Sequence, residues 1–210
     1  MAAHIEEQQE IDNFKYFWSK IGKWLFVALV LAALGYLGKV LYDNHLKGQN
    51  QEAAAELAKM VEKAQANNAD TKQLNADLQN LQQNYGKTIA AGQATLMTAA
   101  TEFDAGRYDV AAGHLKWVLD NQKAPLMQAL AAQRLATVKL QQKKYDEALA
   151  VLNTAVEPDF EPLLLETKGD VLVAQNKPKE ALAAYQQAAA KLAKGAPSGE
   201  LLQIKINQLK

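Results

Sequence analysis

The chain has 210 residues, carries 23 Lys plus Arg against 23 Asp plus Glu, and lacks cysteine. That balance, with Arg107 and Arg134 the only arginines, argues against a nucleic-acid partner, and the missing thiols leave no disulfide framework and no cysteine-ligated metal. Alanine, leucine, glutamine and lysine dominate, glycine and proline are sparse, and no stretch alternates apolar with polar residues for long enough to make a strand, so an all-α chain is expected.

Residues 1–20 form a tail in which Glu6, Glu7, Glu10 and Asp12 read as a solvated acidic segment. From Trp24 to Gly38 no residue is charged, and over 21–42 the only charges are Lys23 and Lys39, near the ends. At about 1.5 Å per residue this segment reaches about 33 Å, the length of a transmembrane helix. Phe14, Tyr16, Phe17, Trp18 and Trp24 on one side and Tyr36 and Tyr42 on the other fall where the lipid interfaces would lie. A cleaved signal peptide, a buried soluble helix and a surface-lying amphipathic helix compete with this reading. The long acidic start opposes the first, and the all-round apolar run opposes the last. Lys15, Lys20 and Lys23 before the span outnumber Lys39 and Lys47 after it, which places the N-terminus in the cytoplasm and the remainder outside. Within the span Ala28, Ala32 and Gly35 make a small-residue seam for another membrane helix, although alanine is common enough there for coincidence.

Residues 43–85 read as a membrane-proximal helical hairpin. Its first helix presents Leu57, Ala58, Val61 and Ala64 on one face and breaks at Asn67-Asn68-Ala69-Asp70-Thr71, where Asp70 or Thr71 caps the second. Between residues 86 and 194 three turns repeat a plan: Ala105-Gly106-Arg107-Tyr108-Asp109, Gln142-Lys143-Lys144-Tyr145-Asp146 and Asn176-Lys177-Pro178-Lys179-Glu180. The small residues that follow, Ala111, Ala148 and Ala181, are 37 and 33 residues apart, bracketing the ~34-residue period of tetratricopeptide repeats. A solenoid of about three units is expected, with Gly169 and Ala181 allowing helices to cross closely and Tyr185 filling the space beyond. The first unit departs most from the pattern, with Thr98 and Glu102 at sites that are usually apolar. Residues 195–210 form a closing helix whose Leu201, Leu202, Ile204, Ile206 and Leu209 cap the stack.

Gly86-Lys87-Thr88 imitates the end of a phosphate loop, but Leu81 stands where the earlier glycine belongs. His4, His45 and His114 are isolated, and no nucleophile pairs with a base. No enzyme, cofactor, metal or small-molecule substrate is expected. The first helices of the units would instead line a protein-binding groove with Leu96, Ala100, Phe103, Gln133, Thr137, Leu140, Glu166, Asp170 and Val173. With few cations, that face suits extended apolar segments better than a peptide carboxylate. The competing reading buries Leu96, Phe103 and Leu140 under neighbouring helices.

The order of parts is itself informative: acidic tail, Phe14-Lys15-Tyr16-Phe17-Trp18, one span, a helix ending at Tyr85, three repeat units, and Leu201-Leu202-Gln203-Ile204-Lys205-Ile206. It resembles the YfgM family of bacterial inner-membrane proteins along essentially the whole chain. The resemblance implies a cytoplasmic N-terminus, a periplasmic tetratricopeptide-like domain, and association with the SecYEG translocon and the membrane-anchored periplasmic chaperone PpiD. The function it implies is non-enzymatic: linking exported client proteins to periplasmic chaperones from a lipid-embedded anchor. A membrane-anchored scaffold for another envelope complex is the alternative.

Overall fold

The computed structural model describes residues 10, 11, 13, 15–66, 70–192 and 198–210, and among these all regular structure is helical. Most of the acidic tail (including Glu6, Glu7 and Asp12), Phe14, the break at Asn67-Asn68-Ala69 and Gly195-Ala196-Pro197 lie outside the described residues. The chain divides into two compact units, Met1–Gln49 and Asn50–Lys210.

In the first unit a π-helical turn, Trp18–Gly22, leads into α1, Lys23–Gln65. The wide turn tucks the Trp18 indole over Gly22, where a Cβ would lie 2.7 Å from the ring, and the same indole meets Phe26 at 6.1 Å. The helix spanning Lys15–Gln65 is long and apolar enough to cross a membrane, and its most apolar stretch has none of its residues buried by the protein. Leu25, Phe26, Leu29, Leu31, Leu34, Leu37 and Leu41 all stand exposed, the surface lipid would cover.

The second unit takes up the last turns of α1 and continues with α2 (Thr71–Asn84), α3 (Ile89–Asp104), α4 (Tyr108–Asn121), α5 (Pro125–Gln141), α6 (Tyr145–Leu152), α7 (Glu161–Ala174), α8 (Pro178–Lys191) and α9 (Ser198–Gln208). Local chemistry sets the boundaries. The Asp70 carboxylate accepts from the Lys72 amide and caps α2, the Thr88 hydroxyl accepts from the Ala91 amide and caps α3, and Pro125, Pro162 and Pro178 occupy first-turn positions where no amide is needed.

Helices α3–α4, α5–α6 and α7–α8 pair as three hairpins, and α3, α5 and α7 also pack on one another in that order. Each hairpin turns in the same way. Gly106, Lys143 and Asn176 adopt φ of 73°, 59° and 60°. In each turn the amide of the left-handed residue bonds three residues back, and the next amide bonds five back: Arg107 to Glu102, Lys144 to Lys139 and Lys177 to Leu172, at 2.8–2.9 Å. A second contact repeats between units. Gln142 Nε2 donates to Asp109 Oδ1 at 2.9 Å and Gln175 Nε2 to Asp146 Oδ1 at 3.3 Å, so the end of one unit's first helix clasps the preceding unit's Tyr-Asp turn.

The core runs through the stack as successive clusters. Ala53 and Met60 of α1 join Leu78, Leu81, Ala90 and Ala94 in one cluster at the start of the stack. Ala99, Ala111, Leu115 and Val118 meet Leu135 in the next cluster, and Ala136, Ala148 and Leu152 meet Val171 in the third. The last gathers Leu172, Ala181 and Tyr185 with Leu202 and Ile206 of α9, which therefore covers the final hairpin. Gly169 is required there, because a Cβ would stand 2.2 Å from the Tyr185 ring.

Candidate protein-binding groove

Side-by-side packing of α3, α5 and α7 turns one face of each first helix outward along the stack. Four of the nine expected groove residues come together there. Ala100, Phe103, Gln133 and Thr137 line a cavity of about 180 Å³ between α3 and α5, floored by Leu115 and Val138. Phe103 is held edge-on to Tyr108 at 5.3 Å. Thr137 donates to its own helix at the Gln133 carbonyl, 3.1 Å, and Arg134 Nη1 reaches the Leu96 carbonyl across the inter-helix gap at 3.2 Å.

The other five residues do different things. Leu96 is only 5% exposed and belongs to the core, so burial under neighbours describes it, and half-buried Leu140 packs against the Ala136–Ala148 cluster. Val173 is exposed near the end of α7. Glu166 and Asp170 are occupied by the chain itself: Lys205 of α9 donates to Glu166 Oε1 at 2.8 Å and to both Asp170 oxygens at 2.8 and 3.0 Å. Tyr185 donates its hydroxyl to Asp170 at 2.7 Å, and the Lys205 ammonium lies 5.5 Å from the centre of the Tyr185 ring. Burial pulls the Lys205 pKa down, but the hydrogen bonds and charges of Asp170 and Glu166 outweigh it and leave a net rise. Burial, followed by the Asp170 hydrogen bond, pushes the Tyr185 phenol up. The outward face is thus open between α3 and α5 and tied to α9 along α7.

Two buried charges escaped the sequence reading in part or whole. Glu102, noted there only as a departure from the repeat, is 7% exposed and takes a two-pronged hydrogen bond from Arg107, Nη2 to Oε1 being 3.1 Å. Lys139, 8% exposed, pairs with Glu147 at 2.6 Å. They sit 37 residues apart, the same spacing as Ala111 to Ala148, and that shared register was the available signal. The hydrogen bond from Arg107 holds the Glu102 carboxyl below the usual range against the upward push of burial, and the Lys139 hydrogen bond lowers Glu147 in the same way. Burial depresses His114, opposed by the Glu102 charge. Among the described residues no group of three metal-ligating side chains is placed to hold an ion. The seam residues Ala28, Ala32 and Gly35 lie in the exposed part of α1, with nothing near the Gly35 Cα that a Cβ would meet.

Similarity to known proteins agrees with this architecture. Residues 15–210 match a family model described as a tetratricopeptide repeat-like domain. A Neisseria gonorrhoeae protein named ancillary SecYEG translocon subunit is 65% identical over 210 residues, the full length of both chains. Proteins of the same name from Haemophilus influenzae and Escherichia coli are 28% and 26% identical, covering 90% and 100% of this chain and 91% and 99% of their own. No solved structure matches. These descriptions name a translocon subunit and a repeat domain, not an enzyme class. With the family model reaching from the foot of the apolar helix to the last residue, and with identity to the gonococcal protein sustained end to end, the chain belongs to the YfgM family of ancillary SecYEG translocon subunits.

Proposed function

We propose that this chain is itself a single-pass inner-membrane subunit of the SecYEG translocon, with a cytoplasmic N-terminus and a periplasmic repeat domain that hands exported chains to a chaperone of the PpiD type. The observation that carries this reading is the end-to-end 65% identity to a protein of that name, which extends through the span as well as the repeats. The lysine excess ahead of the span supports the orientation. The open cavity between α3 and α5 supports a role in holding extended chain, with no catalytic step. Anchoring such a domain near an export channel raises its local concentration around emerging segments, so weak contacts suffice.

Purification of the full-length protein from its own membranes in mild detergent, with mass spectrometry of accompanying proteins and a span-deleted control, tests this. Recovery of SecY, SecE and a membrane-anchored chaperone, lost in the control, is expected. Recovery of other envelope proteins without the translocon replaces the proposal with the scaffold alternative. Crosslinkers placed at Ala28, Ala32 and Gly35 should find translocon helices, and their failure to do so would remove the seam from the account.

A further inference from the structure

The cavity between α3 and α5 has a counterpart. On the opposite flank of α3, Leu57, Met60 and Val61 of α1 and Leu74 of α2 join Met97 and Thr101 around a second cavity, of about 150 Å³. Between the two mouths runs an exposed ridge of α3, with Gln93, Met97, Ala100, Thr101 and Asp104 all facing solvent. Met97 and Thr101 border the second cavity, and Ala100 and Asp104 border the first. From the structure we infer a two-point site astride α3 that takes an extended, uncharged segment of an unfolded chain with two large apolar side chains three residues apart.

Size, spacing and charge each support that occupant. An apolar cavity of about 150 Å³ admits a benzene-sized group, so each holds one leucine or phenylalanine side chain. The mouths are separated by one helix, about 10 Å across with its side chains. In a polyproline-like extended chain residues i and i+3 point the same way and stand about 9 Å apart. Each cavity carries one cation and one anion: Glu102 and Arg107, already bonded to each other, in one, and Asp104 and Arg134 in the other. Neither selects a charged anchor. Thr98 and Thr101 spend their hydroxyl protons on the Ala94 and Met97 carbonyls, so their oxygens keep acceptor capacity for the free amides of an extended backbone.

The inference rests on the reading of the groove as a holder of exported chain, and it is tested without the translocon. Full-length protein in lipid nanodiscs is titrated into three fluorescein-labelled alanine-serine decapeptides, with two phenylalanines at i and i+3, two adjacent phenylalanines, or one. Fluorescence anisotropy should show the i, i+3 peptide binding at least tenfold tighter than either control. Met97→Glu and Ala100→Glu, both at exposed positions, should each bring it down to the one-anchor affinity while a size-matched Met97→Gln does not. Equal affinity for the three peptides, no binding at all, or insensitivity to both glutamates overturns the two-point site. Co-purification with SecY is measured on the same variants. If the wild type fails there while the i, i+3 preference holds, the translocon proposal falls and the site stands; if it succeeds while the preference is missing, the reverse follows.

Discussion

Glu102 shows how a residue that breaks the repeat pattern is accommodated. A carboxylate that stays charged at a buried position must be paired, and Arg107, five residues on and past the turn, supplies the partner. Truncating Arg107 to alanine strands that charge, and the loss is read as a lower midpoint in urea. Acid acts on the same place. The Glu102 pKa is depressed in the folded state, so its stabilisation is complete above about 4.3 and disappears as pH falls through the folded value. Half-buried His114 is also depressed, so it too favours the fold above about 6.5 and disfavours it as protonation sets in below. The melting temperature should therefore fall in two stages on acidification. His114→Asn should erase the upper stage and Glu102→Gln the lower; a melting temperature flat from pH 7 to 5 would contradict the first, and one that stays flat on acidification below about 4.3 the second. Gly169 makes the complementary point about space. Its alanine variant puts a carbon 2.2 Å from a ring pinned by the Tyr185–Asp170 hydrogen bond, so Gly169→Ala should be destabilised by about 1–3 kcal/mol.

At the level of elements, the three hairpin turns were legible because a turn leaves a local signature: a left-handed residue, two fixed backbone bonds, and a Tyr-Asp or Pro-Lys start to the next helix. The left-handed position is filled by Gly106, Lys143 and Asn176, with different energetic consequences. A lysine there bears a Cβ clash that glycine avoids, partly offset by glycine's larger loss of freedom on folding. Lys143→Gly should accordingly gain about 0.5 kcal/mol, while Gly106→Ala should lose about 1 kcal/mol, in the same denaturant titration. Changes of equal sign would mean that the two turns are not equivalent. What the local pattern did not carry is partnership across many residues. Nothing near Glu166 or Asp170 announces that Lys205 will reach them, and helical phase alone placed both in an open groove. Phase also put Leu96 outward, whereas its contacts with Leu115 and Leu135 in the core depend on how closely the alanine-lined helices approach.

For the whole molecule, the span was legible from length and charge alone, whereas the start of the repeat stack carries no such local mark. The sequence reading sets residues 43–85 apart as a membrane-proximal hairpin and starts the repeats after Gly86, while in the structure Ala53 and Met60 of α1 share one cluster with Leu78, Leu81, Ala90, Ala91 and Ala94. A helix continuing from a membrane span shows no break to mark where its role changes. The two descriptions differ in what can be removed. A chain beginning at Asn50 retains every buried residue of the second unit, and should stay helical and melt cooperatively. One beginning at Ile89 bares Ala90, Ala91 and Ala94, and strands buried Gln122, whose Nε2 donates to the Gly86 carbonyl at 2.7 Å. Trp117 packs against the clusters on both sides of that cut and is the only tryptophan in either fragment. Its emission should therefore match between full-repeat and native-like states in 50–210 and shift to the red in 89–210, with a melting transition lowered by several degrees. Identical spectra and melts for the two fragments would show that α1 and α2 add nothing to the stack, and that the second cavity beside α3 has no stable wall.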